Sequence, residues 1–76
     1  MLFINEGPNS KKGKGAYDIA VVDALTGEKL AWYIGYYNGR TKQMKLYPNF
    51  LTEYGKGMNY KMDIKTISTS SIKGFN

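Results

Sequence analysis

The spacing of chain-turning residues constrains this sequence more than any other feature. A Gly/Pro/Asn-rich stretch over residues 7–15, then Gly27, then Asn38-Gly39, then Pro48 divide the chain into short β-rich runs at regular intervals. That rhythm is the mark of a small all-β domain joined by hairpins. Tyr17 to Val22 and Lys29 to Tyr36 are two such runs. Between them, Gly27 is placed to take the left-handed position of a hairpin loop. A three-residue loop Leu25-Thr26-Gly27 sets Ala20 beside Trp32, Val22 beside Leu30, and Asp23 against Lys29 as an opposite-charge pair.

Asn38-Gly39 is the strongest local turn signal in the chain. A two-residue loop there pairs Trp32 with Lys45 and mixes apolar with polar on both faces. A three-residue loop Tyr37-Asn38-Gly39 pairs Trp32 with Met44 and Leu30 with Leu46. Because a slip of one residue turns every side chain over, the second register is preferred. It places Leu30, Trp32, Ile34, Met44 and Leu46 in the core, and Tyr33, Gly35, Thr41, Gln43 and Lys45 outside.

Pro48 ends that strand, since proline cannot donate to a ladder. Asn49 to Tyr54 reads as one short helical turn, with Asn49 as N-cap and Gly55 just beyond it. Tyr60 to Ile67 reads as a further strand, Leu2-Phe3-Ile4 as a short first one, and residues 68–76 as a polar tail that either frays or docks through Ile72 and Phe75. The expected architecture is mainly β: a small five-stranded curved antiparallel sheet or barrel with one helical turn near residues 49–54, forming a single domain over residues 1–76. In this register the outer face of the first hairpin carries Tyr17, Ile19, Val21, Ala31 and Tyr33. It is too apolar to meet water alone, so another element covers it or a partner does.

Composition narrows the chemistry. The 76 residues include neither cysteine nor histidine, so disulfides, thiolate metal sites, and Ser/His or Cys/His nucleophile systems are excluded. The six carboxylates stand singly at 6, 18, 23, 28, 53 and 63, with no paired acid–base or metal-ligand spacing. The expectation is a non-enzymatic chain without cofactor or metal. No run approaches the length of a membrane span, and the first residues lack a signal-peptide pattern, so the expected location is cytoplasmic. Supports for so small a fold reduce to core packing and self-association, a homodimer or strand-edge assembly among them.

The net charge of +5 is uneven. Residues 1–39 sum to zero, and the whole excess lies in residues 40–76, a field that favours polyanions. Lys11, Lys12 and Lys14 decorate the loop 7–15. Its glycine and lysine spacing does not fit a triphosphate-binding P-loop, and Gly15 stands where that motif needs a hydroxyl. Six of the seven tyrosines, Tyr33, Tyr36, Tyr37, Tyr47, Tyr54 and Tyr60, are interleaved with basic residues. Aromatic faces that stack on bases beside cations that follow phosphates are the means by which small barrels hold single strands. The leading expectation is therefore nucleic-acid binding, single- or double-stranded, with Arg40, Lys42 and Lys45 as phosphate contacts. Lys11, Lys12 and Lys14 form a second clamp, and Tyr33 is the stacking residue. The alternative is a modulator or inhibitor that docks on a partner protein through the apolar face of Tyr17, Ile19, Val21 and Tyr33.

Overall fold

A computed structural model describes all residues except 10, 12, 14, 53–55, 60 and 76. Six strands form one curled, open sheet: β1 (Leu2–Pro8), β2 (Ala16–Val22), β3 (Lys29–Asn38), β4 (Gln43–Pro48), β5 (Lys65–Ser68) and β6 (Ile72–Lys73). Their spatial order is β5-β4-β3-β2-β1-β6. All pairs are antiparallel except β1 with β6, which run parallel. β5 and β6 are the two outermost strands, yet only the 3-10 turn Thr69–Ser71 separates them in sequence. Three residues reach about 10 Å at full extension, so the sheet must curl until its two edges come close.

The β2–β3 hairpin follows the sequence expectation for most of its length. Ala20 lies opposite Trp32 and Val21 opposite Ala31. A bulge then sets Val22 against Lys29, so Leu30 is the extra residue and Asp23 has no place in the ladder. Instead Asp23 Oδ1 accepts from the Leu25 and Thr26 N–H groups at 2.8 and 3.1 Å, and its carboxyl is held below the usual aspartate value, by the Thr26 bond first and the Leu25 bond second. Gly27 takes the left-handed conformation at φ +74°.

The β3–β4 hairpin departs from expectation. Its loop has four residues, Gly39 to Lys42, and pairs Ile34 with Tyr47, Gly35 with Leu46 and Tyr37 with Met44. Trp32 therefore lies beside Asn49, whose N–H donates to the Trp32 carbonyl at 2.9 Å, five positions beyond Met44. Asn38 sets this loop with its side chain: Oδ1 accepts from Arg40 N–H at 3.0 Å and Thr41 N–H at 3.4 Å. The left-handed position falls on Lys42 at φ +59°, not on Gly39. Thr69 holds Lys42 there, its N–H and hydroxyl both donating to the Lys42 carbonyl at 3.0 and 3.1 Å.

A shift by an odd number of residues exchanges the faces. The core is made by Ile19 and Val21 of β2, Tyr33 of β3, Met44 and Leu46 of β4 and Ile72 of β6. Phe3, Tyr17, Tyr37, Ile67, Met58 and Phe75 pack around it. Gly35 leaves room for Met44 and Leu46 to cross β3: a Cβ there would lie 2.7 Å from Met44 Cγ and 3.0 Å from Leu46 Cδ2.

Two further differences lie late in the chain. Asn49 to Thr52 forms one capped turn, with Leu51 N–H on Asn49 Oδ1 at 3.3 Å, while the rest of the expected helical turn falls outside the described residues. The strand expected from Tyr60 begins only at Lys65. Before it, Asn59 Oδ1 accepts from Lys61 and Met62 N–H groups at 3.0 Å each, and Asp63 Oδ2 accepts from Asn59 N–H at 2.8 Å. Such Asn and Asp bonds offer the backbone an alternative to a ladder, and Met62 is left 78% exposed. The tail docks through the two residues expected to do so: Ile72, in β6, is 4% exposed, and Phe75 packs edge-on against Tyr17 at 4.9 Å. Among the described residues, no helix is long and apolar enough to cross a membrane.

Candidate nucleic-acid interface

The outer face of the sheet follows from the observed register. On β3 it carries Trp32, Ile34 and Tyr36, and on β4 Lys45 and Tyr47, because Tyr36 pairs with Lys45 and Ile34 with Tyr47. On β2 the same face shows Ala16, Asp18 and Ala20, cross-strand from Tyr36, Ile34 and Trp32. Ala16 and Ala20 are only 2% and 0% exposed, so larger neighbours cover them. Tyr36 is 40% exposed, and Trp32 and Tyr47 are half-buried. Same-face residues along a strand repeat every ~6.8 Å, so Trp32 and Tyr36 mark a strip about 13 Å long.

The strip is both aromatic and cationic. Tyr36 and Tyr47 meet edge to face, with ring centroids 5.7 Å apart and planes at 80°. Lys45 Nζ lies 5.5 Å from the centre of the Tyr47 ring, and Lys29 Nζ lies 4.4 Å from that of Trp32. Lys29 also approaches Glu6 Oε1 at 4.0 Å, an exposed pair of little net worth. On β2 the face also carries the carboxylate of Asp18, whose Oδ1 accepts from Asn9 Nδ2 at 2.8 Å. Where β4 ends, the turn after Pro48 closes a groove of about 560 Å³ lined by Ile34, Tyr36, Tyr47, Pro48, Asn49, Phe50 and Leu51.

The structure sorts the residues singled out in the sequence. Lys45 is exposed on the strip, and Arg40 and Lys42 are exposed in the loop at its Tyr36 end. The β1–β2 loop leaves the sheet at that same end, since Ala16 pairs with Tyr36 and the Tyr37 N–H donates to the Gly15 carbonyl at 3.0 Å. Lys11 of that loop is exposed; Lys12 and Lys14, expected beside it as part of the clamp, lie outside the described residues. Tyr33 is not on the outer face. Only 4% exposed, it is a core residue, because the four-residue loop turns β3 over relative to β4.

The same reversal removes the apolar docking face. Ile19 and Val21 are 0% and 4% exposed, and Tyr17 is packed beneath Phe75, so Tyr17, Ile19, Val21 and Tyr33 line the inside of the curl. What covers that face is the chain itself, and the reason it offered for a homodimer goes with it. Trp32 and Lys29 carried no functional expectation in the sequence, and Tyr36 and Tyr47 none apart from the general tyrosine enrichment. The parity of the rejected two-residue loop, which sets Trp32 with Lys45, was the available signal.

No family model, curated protein or solved structure matches the chain. The reading of the site therefore rests on its chemistry. Half-exposed rings accept the flat faces of planar ligands, and adjacent ammonium groups favour ligands that also carry negative charge.

Proposed function

We propose that this chain is a non-enzymatic binder of single-stranded nucleic acid, which lies across the outer face of β3 and β4. The observation that carries the reading is the strip of Trp32, Tyr36 and Tyr47, with the ammonium groups of Lys29 and Lys45 over the Trp32 and Tyr47 rings. Unpaired bases present π-faces that a duplex keeps stacked inside, which favours single strands over duplexes at such a platform. Arg40, Lys42 and Lys11, gathered by two loops at one end, supply phosphate contacts where the strand leaves the sheet. The charge excess of residues 40–76 supports the same polarity of ligand.

Fluorescence anisotropy with labelled single- and double-stranded oligonucleotides tests this. With about four phosphates neutralised, single-strand affinity should fall roughly fiftyfold between 50 and 200 mM salt. Lys45→Ala should make that dependence shallower by about 0.7 in slope. Tyr36→Ala should weaken binding by about 1–3 kcal/mol at every salt concentration. The reading fails if neither form binds at 50 mM salt, or if duplex binds as tightly as single strand and Tyr36→Ala changes nothing.

A further inference from the structure

The groove beside the strip is shaped to do more than extend it. Its floor and walls come from Ile34, Tyr36 and Tyr47, and its rim from Phe50 and Leu51, which are 49% and 75% exposed. The two tyrosine rings stand at 80° to one another, so a flat ligand can lie on one ring while its edge meets the other. Among the lining residues Asn49 supplies the one side-chain amide. Its Oδ1 is engaged by the Leu51 N–H at 3.3 Å, which fixes the orientation of the carboxamide and leaves the Nδ2 protons to donate. The backbone beneath is held as well, by Asn49 N–H on the Trp32 carbonyl and Thr52 Oγ1 on the Asn49 carbonyl, each at 2.9 Å. A side-chain amide donor in the lining of an aromatic groove, continuous with a cationic strip, matches a nucleobase with a ring carbonyl.

We infer that this groove is a base-reading subsite, in which one nucleotide of the bound strand inserts its base against Tyr36 and Tyr47 and accepts a hydrogen bond from Asn49 Nδ2. The inference rests on the single-strand reading above and adds a sequence preference to it. Thymine, uracil and cytosine carry at position 2 a carbonyl oxygen that stands out from the ring, whereas adenine's acceptors are ring nitrogens set back within it, so a donor placed for the carbonyl meets adenine less closely. One neutral hydrogen bond corresponds to about a fivefold preference.

The test compares anisotropy titrations of labelled oligo-dT, oligo-dC and oligo-dA of equal length, at one salt concentration, for the wild type and two variants. Asn49→Asp keeps an acceptor for the Leu51 N–H, and hence the turn, but removes both donors. Its added charge weakens all three oligonucleotides through their phosphates, and a carboxylate cannot donate to the carbonyl, so the ratio of affinities is the readout. The wild type should prefer dT and dC to dA about fivefold, and Asn49→Asp should bring that ratio close to one. Phe50→Ala removes part of the rim and should weaken all three. A wild-type ratio of one, or a ratio that Asn49→Asp does not move, overturns the subsite while leaving the platform intact, provided Tyr36→Ala still weakens binding. Loss of all binding, wild type included, refutes the single-strand reading itself.

Discussion

Gly35→Ala is the sharpest probe of how this sheet is assembled. The new methyl carbon would lie 2.7 Å from both Cγ and Sδ of Met44 and 3.0 Å from Leu46 Cδ2. Both neighbours are 0% exposed, so neither can swing into solvent to make room. Overpacking of this kind costs about 1–3 kcal/mol, offset by up to about 1 kcal/mol from a stiffer unfolded chain. The net loss of about 1–2 kcal/mol is a sizeable part of the roughly 4–11 kcal/mol expected for a chain of this length. It should lower the melting temperature by about 4–16 °C, followed by far-ultraviolet circular dichroism. Met44→Ala supplies the second arm. Alone it should cost about 2–5 kcal/mol for its cavity, with sucrose or sulfate added to both arms if it is too unstable to measure. In that background Gly35→Ala should cost much less, because the two closest atoms are gone and only Leu46 Cδ2, at 3.0 Å, remains. In the register that pairs Trp32 with Met44, Gly35 would face Thr41 and the methyl would be harmless. An unchanged melting temperature, or an equal penalty with and without Met44, would refute the packing described for β3 and β4.

Adjacent residues of β3 should behave oppositely. Tyr33→Ala removes a core ring and should cost about 3–5 kcal/mol, whereas Trp32→Ala should cost about 1–2 kcal/mol and act mainly on oligonucleotide binding; denaturant titration and anisotropy together read the split, and the reverse order of stability losses would contradict the face assignment. Lys42→Gly should raise stability by about 0.5–1 kcal/mol, since relief of the left-handed strain exceeds the entropy that glycine adds, while Lys42→Val should lower it. Chemical denaturation of both variants checks this, and equal stabilities would contradict it. Asp23 has a folded pKa below its unfolded one, so its contribution is present above the ordinary aspartate value near 4 and is lost as the pH falls through the lower folded value. The Asp23→Asn variant lacks that ionisation, so between about pH 5 and 2 its stability should fall less steeply than the wild type's, measured by urea midpoints at about half-unit intervals.

What could be read from the sequence depended on whether one residue decided the geometry alone. Gly27 did, and with it came the pairing of Ala20 with Trp32. β3 did not, because Ala31, Trp32, Tyr33 and Ile34 make both of its faces apolar and alternation cannot choose between them. The choice then fell to the turn, where Asn38-Gly39 suggested a left-handed glycine. The observed loop uses the Asn38 side chain as a cap and places the strain on Lys42, under the hold of Thr69, a residue 27 positions away. Local turn statistics contain no information about such a partner. The candidate site inherited this error and also shows its limit: Lys45, Arg40 and Lys42 are exposed in either register, but the rings on the outer face are Trp32 and Tyr36 and not Tyr33. The groove around Asn49 was out of reach, since it exists only once β4 lies against β3.

The segment 65–73 serves both margins of the sheet, pairing with β4 at its start and with β1 at its end. Neither margin can be released independently while Thr69 to Ser71 stays in place, and the Asn5 amide on the Gly74 carbonyl, across 69 positions of sequence, adds a further tie. Opening should therefore be a concerted event. Backbone amides of β1 that face β6 and those of β4 that face β5 should exchange with deuterium at a common free energy, although they lie at opposite ends of the strand order. A fluctuation confined to residues 65–73 would expose two unpaired edges at once, making this short segment the latch of the whole curl.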